Sequence, residues 1–193
     1  MLAGSDMQGI FIFDLDGTLS DSLPVHLATW NSIGDEYGFT FDPNILHEMT
    51  GRPTIEFAER VVEQYGLSEK PQNLVNMKQA LFWESAHLLN PIDEVVSIVK
   101  AYHGKIPMAV GTGASLKSAT IQLKGLGLTK YFDGIVSADD VTKHKPEPET
   151  FLACARLMNV DPQYCQVFED GVLGIEAAKK GFYYHQPSGI LYP

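Results

Sequence analysis

The sequence has little cysteine, fewer basic than acidic residues, and no long apolar run. Its two cysteines, Cys154 and Cys165, are too few for a disulfide framework and lack the CxxC spacing of metal and redox sites. There are 14 Lys+Arg against 24 Asp+Glu, which gives a net charge of −10 at pH 7. Because nucleic acids and anionic lipids are bound mainly through lysine and arginine, this balance argues against both as partners.

Membrane and secretory segments are also missing from the sequence pattern. No apolar run approaches the roughly 18 residues that a membrane-spanning helix needs. Residues 1–8 have neither a basic start nor a leader-like apolar stretch. The apolar fraction of 45% and the charged fraction of 20% are ordinary for a globular domain, so disorder is not expected. We therefore expect a soluble, cytoplasmic protein, with a monomer as the default.

Four short apolar runs alternate with amphipathic helical patterns, which predicts βα units and a parallel sheet. The predicted strands are Gly9–Phe13, Pro107–Val110, Gly134–Ser137 and Gln166–Phe168. The helical patterns before the last three strands are Ile92–Ala101, Ser115–Leu126 and Glu149–Met158. The aromatic segment Phe182–Tyr184 predicts one last edge strand. The predicted fold class is therefore α/β, with a Rossmann-like parallel sheet.

A helical stretch interrupts this alternation after the first strand. It contains no clear strand, and its helical patterns are Pro24–Tyr37, Thr54–Tyr65 and Pro71–Leu88. The aromatic residues predicted to form its core are Trp30, Phe57, Phe82 and Trp83. An inserted helical block predicts a small second domain that joins the sheet near Ser20 and Pro91. The predicted division is a Rossmann-like core of residues 1–20 and 91–193 and a helical cap of residues 21–90.

Chemically active side chains follow each predicted strand. They lie in the segments Asp14–Thr18, Gly111–Gly113, Lys143–Pro146 and Glu169–Gly171. In doubly wound sheets, ligands bind beyond the carboxyl ends of the parallel strands. We therefore expect these acids, a hydroxyl group and a lysine to converge on one site.

The chemistry of this set suits phosphoryl transfer. Asp14 and Asp16 face the same side of an extended chain. Asp14, Glu169 and Asp170 would repel one another without a cation, and hard oxygen ligands suit Mg²⁺. The metal and Lys145 would neutralise a transferring phosphoryl group. One aspartate can then attack phosphorus while the other transfers protons.

These segments resemble the four motifs of the haloacid dehalogenase superfamily in order and spacing. The matching residues are Asp14–Thr18, Thr112, Lys145–Pro146 and Glu169–Asp170. The likeness covers nearly the whole chain, from Ile10 to about Gly181. The helical insert is similar to the small α-helical cap of that superfamily.

Finer features resemble the β-phosphoglucomutase-like group within the superfamily. They are Trp30, the Thr50–Gly51 turn, His144–Pro146, Phe168–Gly171 and Gly174–Ala178. The stretch Tyr102–Gly113 is most similar to sugar-phosphate phosphatases of that group, notably those acting on fructose 1-phosphate and 6-phosphogluconate. The resemblance implies Mg²⁺-dependent hydrolysis of a small phosphorylated sugar through an aspartyl-phosphate.

The resemblance also implies a role for each matching residue. Asp14 would be the nucleophile and a metal ligand, and Asp16 the general acid and base, with its main-chain carbonyl on the metal. Glu169 and Asp170 would complete the metal site. The residues that would hold the phosphoryl group are Thr112, Gly113 and Lys145. The cap residues that would bind substrate are His26, Gly51, Arg52 and Lys78.

One departure from the group separates two activities. The mutase has an arginine three residues after the cap-turn glycine, where this chain has Thr54, and the only nearby arginine is Arg52. This favours hydrolysis, with a β-phosphoglucomutase-type mutase as the alternative. A dehalogenase proper, in which Asp14 attacks carbon, and a non-catalytic sugar-phosphate-binding protein are further alternatives, which the complete set of acids disfavours. His26, Lys78 and Arg52 also have an ordinary interpretation as structural or solvated helix residues.

Overall fold

The computed structural model describes residues 9–182. Its strands are β1 (Ile10–Phe13), β2 (Ser20–Asp21), β3 (Asn90–Pro91), β4 (Met108–Gly111), β5 (Gly134–Val136) and β6 (Cys165–Phe168). Its α-helices are α1 (Leu23–Tyr37), α2 (Pro43–Met49), α3 (Thr54–Tyr65), α4 (Pro71–Glu84), α5 (Asp93–Tyr102), α6 (Leu116–Gly125), α7 (Glu149–Leu157) and α8 (Val172–Phe182).

Four of the strands form one parallel sheet in the order β5–β4–β1–β6. At its carboxyl end β1 is paired on both sides, with Phe13 opposite Val110 of β4 and Phe168 of β6. The predicted α/β fold class with a parallel sheet is confirmed, and each predicted strand forms within one residue of its expected ends. The paired central position of β1 explains why its sequence is apolar on both faces.

The two faces of the sheet are covered by different helices. Ile10 and Ile12 pack with α7 and α8, whereas Phe11 and Phe13 pack with α5 and α6. Because side chains of a strand alternate between faces, the unbroken apolar run of β1 supplies both cores. The sheet is thus fixed from both sides, and only its carboxyl edge is available for a site.

The helical insert has a core of its own, in which Trp30 stacks between Phe41 and Phe57. The helix α2 was not predicted, because seven residues are too few to show a helical period. Its start is nevertheless marked in the sequence, since the side chain of Asp42 accepts a hydrogen bond from the N–H of Asn44 at 3.0 Å. The pattern predicted for Pro71–Leu88 divides into α4 and a 3₁₀-helix at Ser85–Leu88.

The chain leaves and re-enters the sheet region through a short antiparallel pair, in which Ser20 lies opposite Pro91. The edge strand predicted at Phe182–Tyr184 is wrong at Phe182, which ends α8, and its other residues lie outside those described. Phe182 packs against the core as the last residue of α8. The longest helix of the described part has 15 residues, and no helix there is long and apolar enough to cross a membrane.

Candidate active site

The chain turns back sharply after β1. The N–H of Asp14 donates to the carbonyl oxygen of Phe168 at 2.9 Å, which fixes Asp14 at the edge of the sheet. Gly17 has a φ of +90°, and a side chain at this position would collide with the carboxylate of Asp170. The hydroxyl group of Thr18 donates to that same carboxylate at 2.6 Å. The turn after β1 therefore both presents Asp14 and seats Asp170 beside it.

A buried lysine lies directly behind Asp14. The Nζ of Lys145 donates to Oδ1 of Asp14 at 2.6 Å and to Oε2 of Glu169 at 2.7 Å. Lys145 is only 1% exposed, so both ion pairs are shielded from solvent. Burial lowers the pKa of Lys145, but the two carboxylates outweigh it and raise the pKa above its ordinary value. The lysine is therefore a permanent positive charge at this point.

One ammonium group does not balance the acids around it. Asp14, Glu169 and Asp170 each offer a carboxylate oxygen within 4.8 Å of the others. Burial, and then the charge of Glu169, raise the pKa of Asp14, with Lys145 opposing them. Burial also raises the pKa of Asp170, although the hydrogen bond from its threonine partner opposes this. Three acids and one lysine leave an excess of negative charge that a divalent cation with hard oxygen ligands would neutralise.

Asp16 has quite different surroundings. Its Oδ1 accepts hydrogen bonds from Ser22 Oγ at 2.6 Å, His26 Nε2 at 2.9 Å and Gln122 Nε2 at 3.0 Å. Burial raises the pKa of Asp16, but His26 and the three hydrogen bonds outweigh it and hold the pKa well below its usual range. Asp16 is therefore ionised in the absence of ligand.

Ser22 and Gln122 were not predicted as site residues. Ser22 directly precedes α1, and Gln122 is a fully buried polar residue between Ala119 and Leu123 on the apolar face of α6. A long polar side chain at such a position needs a hydrogen-bond partner. That break in the helical pattern is the signal that could have identified Gln122.

Two residues of the insert, His26 and Lys78, lie close to Asp16 around the ring of Phe82. The ring of His26 stacks on Phe82, with the centroids 4.4 Å apart. The ammonium of Lys78 lies 4.6 Å from the centroid of the same ring. Burial lowers the pKa of Lys78 to about 8, although Asp16 opposes this, and burial and Lys78 lower the pKa of His26. Within residues 9–182, Lys78 forms no ion pair.

The insert and the sheet region approach most closely at two glycines. The carbonyl group of Gly51 lies against Gly113, where a side chain would collide with it. Gly51 itself has a φ of +95°. The neighbouring Thr112 is buried, and its hydroxyl accepts a hydrogen bond from the N–H of Ala114 at 3.0 Å. Arg52 is half-buried and donates to Glu56 at 2.6 Å.

A cleft of about 680 Å³ lies between the insert and the carboxyl edge of the sheet. Eight of the eleven predicted site residues line it, and the other three, Lys145, Glu169 and Asp170, surround Asp14 behind its wall. The structure thus brings the predicted residues together. Their individual roles stay predictions.

The aromatic residues of the insert fall into two groups. Trp30 and Phe57 are buried in its core, as predicted, whereas Phe82 is buried in a second cluster that also contacts Ile121 and Leu126 of the sheet region. Trp83 instead lies at the contact with the sheet region, where its indole N–H donates to Ser118 Oγ of α6 at 3.0 Å. The ammonium of Lys117 lies over the Trp83 ring, 3.5 Å from its centroid.

The fold and the cleft at the end of its sheet belong to a known class of enzyme. The model of the haloacid dehalogenase-like hydrolase family matches residues 11–181. The chain therefore belongs to this family, which confirms the resemblance seen in the sequence and the prediction of a hydrolytic enzyme.

Within this class, the chain is similar to proteins that act on phosphorylated sugars. It is 40% identical over 170 residues to fructose-1-phosphate phosphatase YqaB of Escherichia coli K12, covering 87% of this chain and 89% of that protein. It is 30% identical to the phosphorylated carbohydrates phosphatase of Thermotoga maritima, covering 87% and 79%. The crystal structure of β-phosphoglucomutase from Clostridium difficile aligns with a TM-score of 0.78 and 26% identity, covering 91% and 82%.

Proposed function

We propose that this hydrolase is a Mg²⁺-dependent phosphatase that acts on small sugar phosphates through an aspartyl-phosphate at Asp14. The observation that carries this proposal is the pair Asp14 and Asp16 on one cleft, each with its own set of partners. The similarity to fructose-1-phosphate phosphatase YqaB supports fructose 1-phosphate as the first substrate to test, with 6-phosphogluconate as the second.

The acids around Asp14 fit a magnesium ion. Asp14, Glu169 and Asp170 would hold it, together with the main-chain carbonyl of Asp16 that the family resemblance implies. When bound, Mg²⁺ supplies positive charge for the negative oxygens of the phosphoryl group. Lys145 adds a second positive charge at the same place.

The first half of the reaction transfers the phosphoryl group to the protein. A carboxylate oxygen of Asp14 attacks phosphorus, and the bond between phosphorus and the sugar oxygen breaks with its electron pair on that oxygen. Asp16 gives this oxygen a proton, so the sugar leaves as an alcohol. Because a negative substrate raises the pKa of a nearby acid, we expect Asp16 to take up its proton together with the substrate.

The second half restores the protein. Water attacks the phosphorus of the acyl phosphate and gives a proton to Asp16, and the bond from phosphorus to Asp14 breaks. Inorganic phosphate leaves, and Asp14 is again a carboxylate. In both halves the transferring group would be held by Lys145 and by the Thr112–Gly113 turn.

The helical insert would bind the sugar. In this assignment residues 21–90 form a cap over a core of residues 1–20 and 91–193, and its opening admits substrate. Lys78 is a buried cation without an ion pair among the described residues, so an anionic ligand would find its charge available. His26, Gly51 and Arg52 line the same side of the cleft. A monomeric state, a cytoplasmic location and the absence of nucleic-acid or membrane partners stay predictions.

The mutase alternative has less support from the cleft. Thr54 lines the cleft where the mutase resemblance would require an arginine for a second phosphate group. A threonine hydroxyl supplies no positive charge for a bisphosphate intermediate. The threonine therefore favours water over a second sugar position as the returning nucleophile, although Arg52 and Lys78 also line the cleft.

The test is phosphate release from fructose 1-phosphate, 6-phosphogluconate and β-glucose 1-phosphate, each with Mg²⁺ and with EDTA. The proposal expects metal-dependent release, strongest on one or two of these sugars. Isomerisation of β-glucose 1-phosphate faster than phosphate release, with a requirement for a sugar bisphosphate, would favour the mutase. Release that EDTA leaves unchanged would contradict the metal-dependent mechanism.

A further inference from the structure

Gln122 has an unpaired amide oxygen in the candidate active site. Its side chain is fully buried and lines the cleft. Its Nε2 donates to Asp16, but its Oε1 has no hydrogen-bond partner among residues 9–182. Two other buried side-chain atoms in that part of the chain are also unpaired, on Ser20 and His144, but neither residue lines the cleft.

The orientation of the Gln122 amide is fixed by chemistry. The Asp16 oxygen that it contacts already accepts hydrogen bonds from Ser22 and His26, so a third group at this oxygen must also be a donor. The amide nitrogen must therefore face Asp16, which leaves the amide oxygen on the other side. A buried acceptor without a partner is unfavourable. Such a group in a cleft is explained if a ligand supplies the missing donor.

The chemistry of the missing partner follows from the atom. A carbonyl oxygen accepts hydrogen bonds only, so it pairs with a hydroxyl group and repels a fully ionised phosphate. In the proposed function Asp16 protonates the sugar oxygen that leaves phosphorus. Gln122 contacts the same carboxylate and lines the cleft, so its amide oxygen would be available to a hydroxyl group close to the sugar oxygen that leaves.

We propose that Gln122 determines specificity by accepting a hydrogen bond from a sugar hydroxyl on the carbon next to the one that bears the phosphate. This inference rests on the proposed function. The amide nitrogen of Gln122 positions Asp16, while its amide oxygen binds the hydroxyl group of the substrate. One side chain thereby couples the presence of the correct hydroxyl group to the placement of the proton donor.

The test compares two substrates that differ by that hydroxyl. Fructose 1-phosphate carries it at carbon 2, and 2,5-anhydromannitol 1-phosphate has the same furanose ring without it. Wild-type protein should prefer fructose 1-phosphate about tenfold in kcat/KM, the effect of one buried hydrogen bond. Gln122→Leu should lower kcat on both substrates and reduce the preference to within about twofold.

Ser22→Ala is the matched control, because it removes another donor to the same oxygen of Asp16 and leaves Gln122 in place. It should lower kcat on both substrates while keeping the tenfold preference. Gln122→Met, which is close to glutamine in length, repeats the comparison if Gln122→Leu does not fold. The Tm of each variant separates loss of folding from loss of selectivity.

The outcomes distinguish this inference from the proposed function. Equal rates of the wild type on the two substrates, or an unchanged preference in the Gln122 variants, would overturn the role of Gln122 and leave the phosphatase intact. Failure of the wild type to release phosphate from fructose 1-phosphate would overturn that substrate assignment, and the inference with it.

Discussion

Asp14 and Asp16 are separated by a single residue, yet their partners come from two different regions of the molecule. The partners of Asp14 are charged and come from the sheet region: Lys145, Glu169 and Asp170. The partners of Asp16 are hydrogen-bond donors, two of them from α1 and the residue before it: Ser22, His26 and Gln122. Burial raises the pKa of both aspartates, so burial alone does not explain why their pKa values differ.

The pKa values of the two acids are shifted in opposite directions. The pKa of Asp14 is raised by burial and neighbouring acids, whereas donors hold the pKa of Asp16 well below its usual range. The proposed reaction needs the reverse, an ionised Asp14 and a protonated Asp16. A cation at the acids lowers the pKa of Asp14, and an anionic substrate raises that of Asp16. In the proposed function, metal and substrate together would therefore bring both acids to the states that the reaction needs.

The largest expected effect is on the Asp14 side. Asp14→Asn removes the nucleophile but keeps the shape of the side chain, so turnover should fall on the order of 10⁴-fold or more. Steady-state phosphate release measures it, and Asp35→Asn on the exposed face of α1 is the control. Substantial activity in Asp14→Asn would assign the chemistry to another residue.

The next expected effect concerns the buried ion pairs. Lys145→Met leaves Asp14 and Glu169 without their cation, and removal of one partner of a buried pair costs about 3–5 kcal/mol. Denaturant unfolding should show this loss without metal, and Mg²⁺ should restore part of it.

The control for Lys145 is a lysine on the surface. Lys180 donates to Glu147 at 2.9 Å, but its side chain is 39% exposed. Lys180→Met should change the free energy of unfolding by less than about 1 kcal/mol, with or without Mg²⁺. Equal losses in the two variants would mean that the acids around Asp14 do not depend on Lys145.

A smaller effect of opposite sign is expected on the Asp16 side. Burial lowers the pKa of Lys78 to about 8 from the 10.5 of a free lysine, so its charge opposes folding. Relative to Lys78→Met, the wild type should gain stability as pH increases from about 8 to 10.5, because at Lys78 the unfolded chain binds more protons there, while Cys154 and Cys165 titrate alike in both proteins. Lys78→Met should lack this rise and be more stable at pH 7 by about 1–3 kcal/mol, while its KM increases.

Urea unfolding of wild type and Lys78→Met at pH 7 and pH 10 measures this effect. Lys100→Met, on the exposed face of α5, is the control and should follow the wild type at both values. A less stable Lys78→Met at pH 7 would show that the lysine has a stabilising partner instead of an unfavourable position.

The smallest expected effect is at the contact between the two regions. Trp83→Phe removes the hydrogen bond to Ser118 but keeps an aromatic ring. The free energy of unfolding should fall by about 1 kcal/mol, and KM should rise a few-fold because the insert is less firmly held over the sheet. A matched Ile33→Val in the core of the insert, at a residue that does not line the cleft, should lower stability by about 1 kcal/mol without that change in KM.

The same division explains what could be predicted from the sequence. The residues around Asp14 come directly after strands of the parallel sheet. Because the carboxyl ends of these strands meet at one edge, short motifs are enough to place Lys145 and Asp170 together. The surroundings of Asp16 depend on how α1 and α6 pack, which short motifs do not encode, although the polar Gln122 on the apolar face of α6 was a signal. Ser22 and Gln122 were therefore missed, although His26 was identified through the resemblance.

The errors in the fold have equally local causes. The helix α2 is too short to show a helical period, and its start was marked only by the capping residue Asp42 and the proline at its first position, Pro43. The aromatic residues at the end of α8 favour a strand by composition, but Phe182 continues a helix whose buried residues, Ala177 and Ala178, face the sheet. Tertiary packing decided both cases.

The most direct test of the central claim is to trap the phosphoryl group on the protein. The acetate of acetyl phosphate leaves phosphorus with little need for a proton from an acid. Asp16→Asn should therefore still be phosphorylated by acetyl phosphate in the presence of Mg²⁺, and should lose the phosphoryl group slowly. Mass spectrometry of the peptide that contains Asp14 should then show one phosphoryl group on that residue, and none in Asp14→Asn. Phosphate release without a phosphorylated Asp14, or the group on another residue, would contradict the account.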